Sequence, residues 1–224
     1  MKNHMKAVLI SIKPKWCELI ASGKKTIEVR KTRPKIEAPF KVYIYCTQAS
    51  PYNPVLPMKD EKKGGNIYIG GKKYAEFLTS RVIGEFTCDG ITEYEGKFYD
   101  DETQEYIKNI IHTTDWDGCT EVDYSFIAEN GEENGLCKSS CLAWEELRNY
   151  MGAGINTFFG WHISDLKIYD KPKELREFVK YRADWGFRAV IGALTGLDCN
   201  EYITRPPQSW MYVEEKERWN ENRS

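Results

Sequence analysis

Four stretches of the chain are apolar throughout or alternate between apolar and polar residues, and each predicts a β-strand. They are Lys6 to Ile12, Phe40 to Thr47, Arg81 to Asp89 and Ser209 to Val213. The first is apolar enough to be a central strand. The second alternates strictly, which is typical of a strand with one face against a core.

A short helix is predicted directly after the first strand. Trp16, Leu19 and Ile20 fall at positions i, i+3 and i+4, which gives a helix one apolar stripe. Pro14 suits the first turn, where the missing N–H costs nothing. Gly23 follows the last periodic residue and is expected to end the helix.

The next segment predicts a half-buried strand with a polar face. Thr26, Glu28 and Arg30 alternate with Ile27 and Val29. Because side chains alternate across a strand, the three polar residues are expected on one face, beside the end of the helix. This strand is where we expect the chemistry of the protein.

The remaining pattern is less regular. It predicts a hairpin in NIYIGGKKY with Gly-Gly at its turn. A helix from Ser140 to Gly152 has a serine at its start and a glycine at its end. Three further predictions are a helix over Asp101 to His112, a short helix over Lys171 to Arg182, and a strand from Thr157 to Tyr169 with a bulge near Ser164-Asp165.

The residues Gly23, Lys25, Glu28 and Arg30 spell G-x-K-x-x-E-x-R, which resembles the motif of bacterial ASCH domains. The resemblance implies an α+β fold, a PUA-like mixed β-barrel with flanking helices and an acidic insertion. We expect residues 1–224 to form a single ASCH domain with insertions at about 50–80 and 89–138.

The composition indicates a globular protein, since 41% of the residues are hydrophobic and 29% are charged. No apolar run approaches the length of a membrane span, and the N-terminus lacks the apolar stretch of a signal peptide. We therefore expect a cytoplasmic protein that does not bind a membrane. The sequence does not predict the oligomeric state.

Metal and cofactor binding are not expected. The seven cysteines are scattered, and neither they nor the three histidines form a second pair with metal-ligand spacing. DWDG resembles the start of a calcium loop, but the glycine and the closing glutamate are not at the required positions. We interpret the cysteines as free thiols.

Charge is distributed unevenly along the chain. Residues 1–48 contain 11 lysines and arginines against 3 acidic residues, whereas residues 85–135 contain 2 against 15. A basic sector around the motif suits an anionic partner such as RNA or a nucleotide. Lysines near a strand edge would equally keep the surface soluble and block edge pairing. We interpret the acidic segment, residues 85–135, as an insertion or a solvated helical cap.

A catalytic interpretation rests on a second resemblance. Small bacterial amidohydrolases similar to ASCH domains remove an acetyl group from a modified cytidine, using a lysine, a threonine and a glutamate. Lys25 matches the lysine, but Glu28 occupies the threonine position, and the later glutamate has no clear counterpart. Lys25, Glu28 and Thr26 are the catalytic candidates. A structural Lys25–Glu28 ion pair is the alternative.

A ligand-binding interpretation uses cations and aromatic rings. Arginines can bind a phosphate through two hydrogen bonds, and exposed tryptophans can stack on bases. The candidates are Lys13, Trp16, Lys24, Arg30, Arg33, Arg205, Gln208 and Trp210. The alternatives are solvated surface charges and core tryptophans.

Three functions fit these patterns. The first is a binding module that takes RNA or a nucleotide-like ligand in a basic cleft beside the motif, and we prefer it because the threonine of the hydrolase pattern is missing. The second is an amidohydrolase acting on an acylated nucleoside. The third is an interaction protein that binds its partner through the acidic segment.

Overall fold

The fold is described from a computed structural model. The structure describes the residues in the ranges 5–48, 67–69, 72–74, 79–98, 108–114, 120–126, 135–152 and 154–214. The chain divides into two compact units. The first comprises Met1–Glu18, Phe40–Phe86 and Leu166–Ser224, and the second comprises Leu19–Pro39 and Thr87–Asp165.

The first unit is built on a five-stranded sheet. Its strands, in spatial order, are β11 (Ser164–Lys173), β6 (Arg81–Cys88), β3 (Phe40–Cys46), β1 (Lys6–Ile12) and β12 (Trp210–Glu214). β1 runs parallel to β3 and antiparallel to β12. Its near-continuous apolar sequence reflects this central position, because its residues from Ala7 to Ile12 are all buried.

One apolar cluster of the described residues forms part of the core of the first unit. It contains residues from β1, β3, β6, β11 and β12, with Phe178 and Ile203 from the connecting segments. Tyr43 packs edge-on against Phe178, with ring centroids 4.9 Å apart. Among the described residues, this unit also contains α4 (Trp185–Thr195) and a 3-10 helix (Leu175–Glu177).

The second unit also contains a five-stranded sheet. In spatial order its strands are β2 (Ile27–Arg30), β10 (Gly154–His162), β7 (Ile91–Phe98), β8 (Lys108–Thr114) and β9 (Thr120–Phe126). Two helices complete it, α2 (Gly135–Ser140) and α3 (Trp144–Met151). Leu147 and Met151 of α3 pack against Val29 of β2 and Phe158 of β10, so the helix lies against one face of that strand pair.

Two further elements are a helix and a hairpin. Helix α1 (Pro14–Ala21) connects β1 to β2 and contains the boundary between the two units. The predicted hairpin is present as β4 (Ile67–Ile69) and β5 (Lys72–Tyr74), which pair antiparallel.

The strands predicted from alternation are confirmed, with bounds within about one residue of those expected. Three helix predictions need correction. Residues 108–114 form β8 rather than the end of a helix from Asp101, whose first residues lie outside the described ranges. The segment from Lys171 to Arg182 holds the end of β11 and only one 3-10 turn. The helix predicted to start at Ser140 starts at Trp144, because Ser140 ends α2.

The long strand predicted from Thr157 to Tyr169 is two strands. β10 ends at His162 and pairs with β2 and β7, whereas β11 starts at Ser164 and neighbours β6. Asp165 has a φ of +45°, so the backbone turns sharply at the position where a bulge was expected.

The α+β content is confirmed, but the closed barrel is not what the described residues form. Each of their five-stranded sheets has two end strands, so neither sheet closes on itself. The described part of the acidic segment forms the end of β6 and the strands β7, β8 and β9 of the second sheet rather than a helical cap. The single domain over residues 1–224 and the two insertions stay predictions.

Candidate functional site

The end of α1 directs Lys25 away from the helix. Gly23 adopts the left-handed conformation with a φ of +73°, which glycine does without strain. The backbone N–H groups of Lys24 and Lys25 both donate to the carbonyl of Leu19, at 3.0 Å each. These bonds satisfy the helix end and bring the chain into β2 two residues later.

Lys25, Glu28 and Arg30 form a buried cluster of charges in the second unit, here called the motif cluster. Only 3%, 6% and 9% of their respective surfaces are exposed. Glu28 accepts contacts from both cations: its Oε1 lies 2.9 Å from Arg30 Nη2 and its Oε2 lies 3.4 Å from Lys25 Nζ. With all three groups ionised, the motif cluster carries one more positive than negative charge.

Lys25 also binds the end of a helix that is remote in sequence. Its Nζ donates a 2.6 Å hydrogen bond to the carbonyl of Ser140, the last residue of α2. A cation at this position satisfies a carbonyl that has no partner within the helix. The backbone N–H of Thr26 donates to the neighbouring Ser139 carbonyl at 2.8 Å, so α2 is held to the start of β2 at two points.

Burial lowers the pKa of Lys25 below its ordinary value, because removing the ammonium from water disfavours the charged form. The ion pair with Glu28 opposes this effect. Burial raises the pKa of Tyr150, which lies near enough to Arg30 and Glu28 for their charges to act on its hydroxyl. Tyr150 therefore borders the motif cluster.

Exposed cations flank the motif cluster in sequence. Lys24, Lys31 and Arg33 are exposed, in contrast to Lys25 and Arg30. Two of them lie over aromatic rings of the same unit. Lys31 Nζ is 5.3 Å from the ring centroid of Tyr150. The guanidinium carbon of Arg33 is 5.7 Å from the ring centroid of Phe159.

The structure brings Lys25, Glu28 and Arg30 together, as the spacing of the motif predicts. Thr26 precedes β2 and is exposed. Its carbonyl accepts a 2.9 Å hydrogen bond from the backbone N–H of Ile163. The role of these residues in catalysis or binding stays a prediction.

The other predicted binding residues belong to the first unit. Lys13, Arg205 and Gln208 are exposed, and Trp16 and Trp210 are half-buried. The ring of Trp16 lies under Lys15, whose Nζ is 4.3 Å from the ring centroid. Trp210 packs edge-on against Tyr212 at 5.3 Å.

Sequence reasoning missed three residues that border or complete the motif cluster: Ser140, Tyr150 and Phe159. Ser140 and Tyr150 were assigned to a helix, and Phe159 to a strand, without a role at the site. The sequence around the motif contains the cations but not these aromatic residues. Tyr150 and Phe159 come from α3 and β10, more than 100 residues further along the chain, so no local pattern links them to the motif.

The described residues include no three His, Cys, Asp or Glu side chains close enough together to hold a metal ion. The DWDG stretch, residues 115–118, lies outside the described ranges. None of the described helices is long and apolar enough to cross a membrane.

Comparison with known proteins identifies one family. Residues 10–116 match the model of the ASCH domain. Three solved structures of the ASCH protein from Zymomonas mobilis, the protein itself and two of its point mutants, align with a TM-score of 0.44 and 16% identity. The alignments cover 92–93% of this chain and 86–90% of the other. No curated protein matches the sequence significantly. The match over residues 10–116 includes the G-x-K-x-x-E-x-R motif and confirms the resemblance to the ASCH family that this motif indicates.

Proposed function

We propose that this ASCH domain binds RNA or a nucleotide-like ligand through a basic surface beside the motif. The observation that carries the proposal is the set of exposed cations beside the motif cluster. Lys24, Lys31 and Arg33 are exposed and adjoin the cluster in sequence. Two of the three charged side chains of the cluster, Lys25 and Arg30, are also cations.

Buried charges act over a longer distance than exposed ones, because solvent and salt screen them less. Buried cations beside a basic surface therefore add to its attraction for a phosphate. The exposed Lys31 and Arg33 are the groups that a phosphate would contact.

The amidohydrolase interpretation has one specific observation in its favour. The pKa of Lys25 is lowered by burial beside a carboxylate, as is expected for a lysine that acts as a base. The position of Nζ weighs against it. With 3% of Lys25 exposed and its Nζ bound to the Ser140 carbonyl and to Glu28, a substrate would have to displace both contacts.

The test of the proposal is binding of a fluorescent single-stranded RNA decamer, measured by anisotropy at increasing KCl concentrations. Single-stranded binding should weaken with a slope of about −0.7 in log K against log salt for each phosphate contacted. Replacing Lys24 and Arg33 together by Gln should weaken binding and flatten the slope. Lys167→Gln, which removes an exposed lysine from β11 of the first unit, should change neither.

A parallel assay separates the two functions. The wild type and Lys25→Ala are incubated with a panel of acylated nucleosides, and release of the acyl group is followed. The binding proposal expects no release from either protein. Turnover by the wild type that Lys25→Ala abolishes, with its folding intact, would establish the hydrolase instead.

A further inference from the structure

The outward face of helix α4, in the first unit, is apolar. Phe187, Val190 and Leu194 are three and four residues apart, so they share one face of the helix. They are 70%, 57% and 79% exposed, respectively. Leu197, two residues beyond the helix, is 66% exposed. These four side chains are here called the α4 patch.

The other face of α4 is turned towards its own chain. Arg188 and Gly192 lie on this side and are only partly exposed. A Cβ added to Gly192 would lie 3.1 Å from the carbonyl oxygen of Leu197, so the chain returns closely past the helix there. Arg188 is the only charged residue within the helix. A surface helix normally has the reverse arrangement, with its apolar stripe towards the core and its charges towards solvent.

The α4 patch is large enough to contribute half of a specific interface. Side chains of about 150–200 Å² at these exposures present roughly 500 Å² of apolar surface. The largest apolar patches on monomeric proteins reach about 300–600 Å² and are often functional. Two α4 patches facing each other would bury about 1,000 Å², which is the lower limit for a specific interface.

The order of large and small residues along α4 is self-complementary. Val190 is the middle residue of the helix, so a two-fold axis beside it pairs α4 with an antiparallel copy of itself. In that register Phe187 faces Ala193 of the other copy. Leu194 likewise faces Gly186 of the other copy. Both small residues are exposed, and a Cβ added to Gly186 meets nothing within 4 Å, so the large side chains have room.

The charges at the ends of α4 suit the same arrangement. Antiparallel pairing places Arg182, before one helix, across from Asp198, after the other, and both residues are exposed. The helix dipoles also oppose each other in such a pair.

An anionic membrane gains little from this face. Helices that lie on membranes are rich in Lys and Arg. Within residues 180–201, three cations are balanced by three carboxylates, namely Lys180, Arg182 and Arg188 against Asp184, Asp198 and Glu201. The charge pattern therefore favours a second copy of the chain over a lipid surface.

We infer that the α4 patch binds a second copy of this chain and forms a symmetric dimer in which the two α4 helices pack antiparallel. The inference does not depend on the proposed function. An interface near the lower size limit is weak, so we expect a dissociation constant of about 1–100 µM.

The first test is sedimentation velocity of the full chain from about 1 to 500 µM, a range that spans the expected dissociation constant. Phe187→Gln and Leu194→Gln should each raise this constant about 30-fold or more, because each lost contact occurs twice in a two-fold interface. Both side chains are exposed in the single chain, so thermal unfolding of the dilute variants should match that of the wild type. Met5→Gln removes an exposed apolar side chain outside α4 and should change neither measurement.

A second pair of variants tests the register. Gly186→Leu fits the single chain, where the added side chain meets open space, but fills the gap that Leu194 of the other copy requires. It should weaken the dimer about 10-fold or more. Adding Leu194→Ala to Gly186→Leu exchanges the large and small positions and should restore much of the affinity.

Cross-linking tests the position of the two-fold axis. Packed helices are about 8–10 Å apart, which places the two Val190 Cα atoms about 4–6 Å apart, within reach of a disulfide. Val190→Cys should therefore form a covalent dimer under mild oxidation faster than the wild type, whose own thiols include Cys141 and Cys199. Arg188→Cys, on the inner face, should cross-link no faster than the wild type.

The outcomes decide the inference. A protein that stays monomeric over the whole concentration range overturns it, and so does a dimer that Phe187→Gln and Leu194→Gln leave intact. A dimer that both changes weaken, but in which Gly186→Leu and Val190→Cys behave like the wild type, shows that the antiparallel register is wrong. A monomer that cosediments with phosphatidylcholine–phosphatidylglycerol vesicles, and loses this binding in Leu194→Gln, would assign the α4 patch to a membrane instead.

Discussion

Removing the carboxylate of Glu28 should destabilise the protein more than any other single change in the motif cluster. The substitution Glu28→Gln keeps the shape of the side chain and removes the one negative charge between two buried cations. Lys25 and Arg30 would then repel each other in a medium that screens charge poorly. Truncating one partner of a buried ion pair typically costs about 3–5 kcal/mol.

The distances support a value in this range. At an effective dielectric constant of about 20, contacts of 2.9 and 3.4 Å are each worth about 5 kcal/mol before the desolvation of the charges is subtracted. In Glu28→Gln, release of the Lys25 proton would relieve the repulsion and so limit the loss of stability. Removing a proton from a lysine of ordinary pKa costs about 5 kcal/mol at pH 7, and the native pKa of Lys25 is already lowered.

Lys25→Met provides the internal comparison. It leaves the Ser140 carbonyl without the lysine's hydrogen bond, which costs about 1–3 kcal/mol for a buried group. It also removes the desolvation cost of the buried ammonium, and this gain offsets part of the cost. We therefore expect Glu28→Gln to lose about 3–5 kcal/mol and Lys25→Met about 1–2 kcal/mol.

Urea unfolding of both variants at pH 7 measures the difference, and Glu18→Gln on α1 is the control for loss of a half-buried carboxylate outside the cluster. A melting temperature lower by about 6–20 °C should accompany the larger loss. The reasoning fails if Lys25→Met costs as much as Glu28→Gln. That result would mean that the hydrogen bond to Ser140, and not the charge balance, dominates the motif cluster.

Three further predictions concern Lys25, Gly84 and Cys88. The native pKa of Lys25 is lowered, so the unfolded state binds more protons, and the wild type should gain stability relative to Lys25→Met as pH rises towards 10.5; a constant difference would contradict this. Gly84→Ala should cost about 1–3 kcal/mol in urea unfolding, because the new Cβ would lie 2.5 Å from the carbonyl oxygen of Lys167; an unchanged midpoint would show that the strands can separate. Burial raises the pKa of Cys88 to about 12, so iodoacetamide at pH 8 should modify the half-buried Cys199 and spare Cys88 in native protein, as peptide mass mapping can check; equal labelling would contradict this.

The sequence predicted well those elements whose stability is local or whose pattern is strict. The strand Lys6–Ile12 has the bounds expected from its apolar run, and Gly23 ends α1 as expected. The segment 108–114 was wrongly predicted because its paired isoleucines fit a helix as well as a strand. Its pairing with β7 and β9 decides the matter, and that pairing is not encoded locally.

In the motif cluster, too, the local contacts were predictable from the sequence and the distant contacts were not. The proximity of Lys25, Glu28 and Arg30 follows from a spacing of a few residues. The hydrogen bond to Ser140 joins residues 115 positions apart, and the position of Tyr150 depends on how α3 packs. A single sequence gives no signal for such contacts. The predictions for Trp16 and Trp210 show a different limit. A tryptophan that stacks on a ligand cannot be distinguished by sequence from one that packs against its neighbours.

Each fixed position of the G-x-K-x-x-E-x-R motif has a task within the fold itself. Gly23 adopts the conformation that ends α1, Lys25 binds the end of α2, and Glu28 balances Lys25 and Arg30. Side chains with these tasks are required whatever the ligand is, so the motif alone cannot specify the ligand. Specificity has to come from exposed side chains around the cluster, which folding constrains less. For this protein Lys31 and Tyr150 are such residues, and their exchange, rather than that of Lys25, should separate ligand binding from folding.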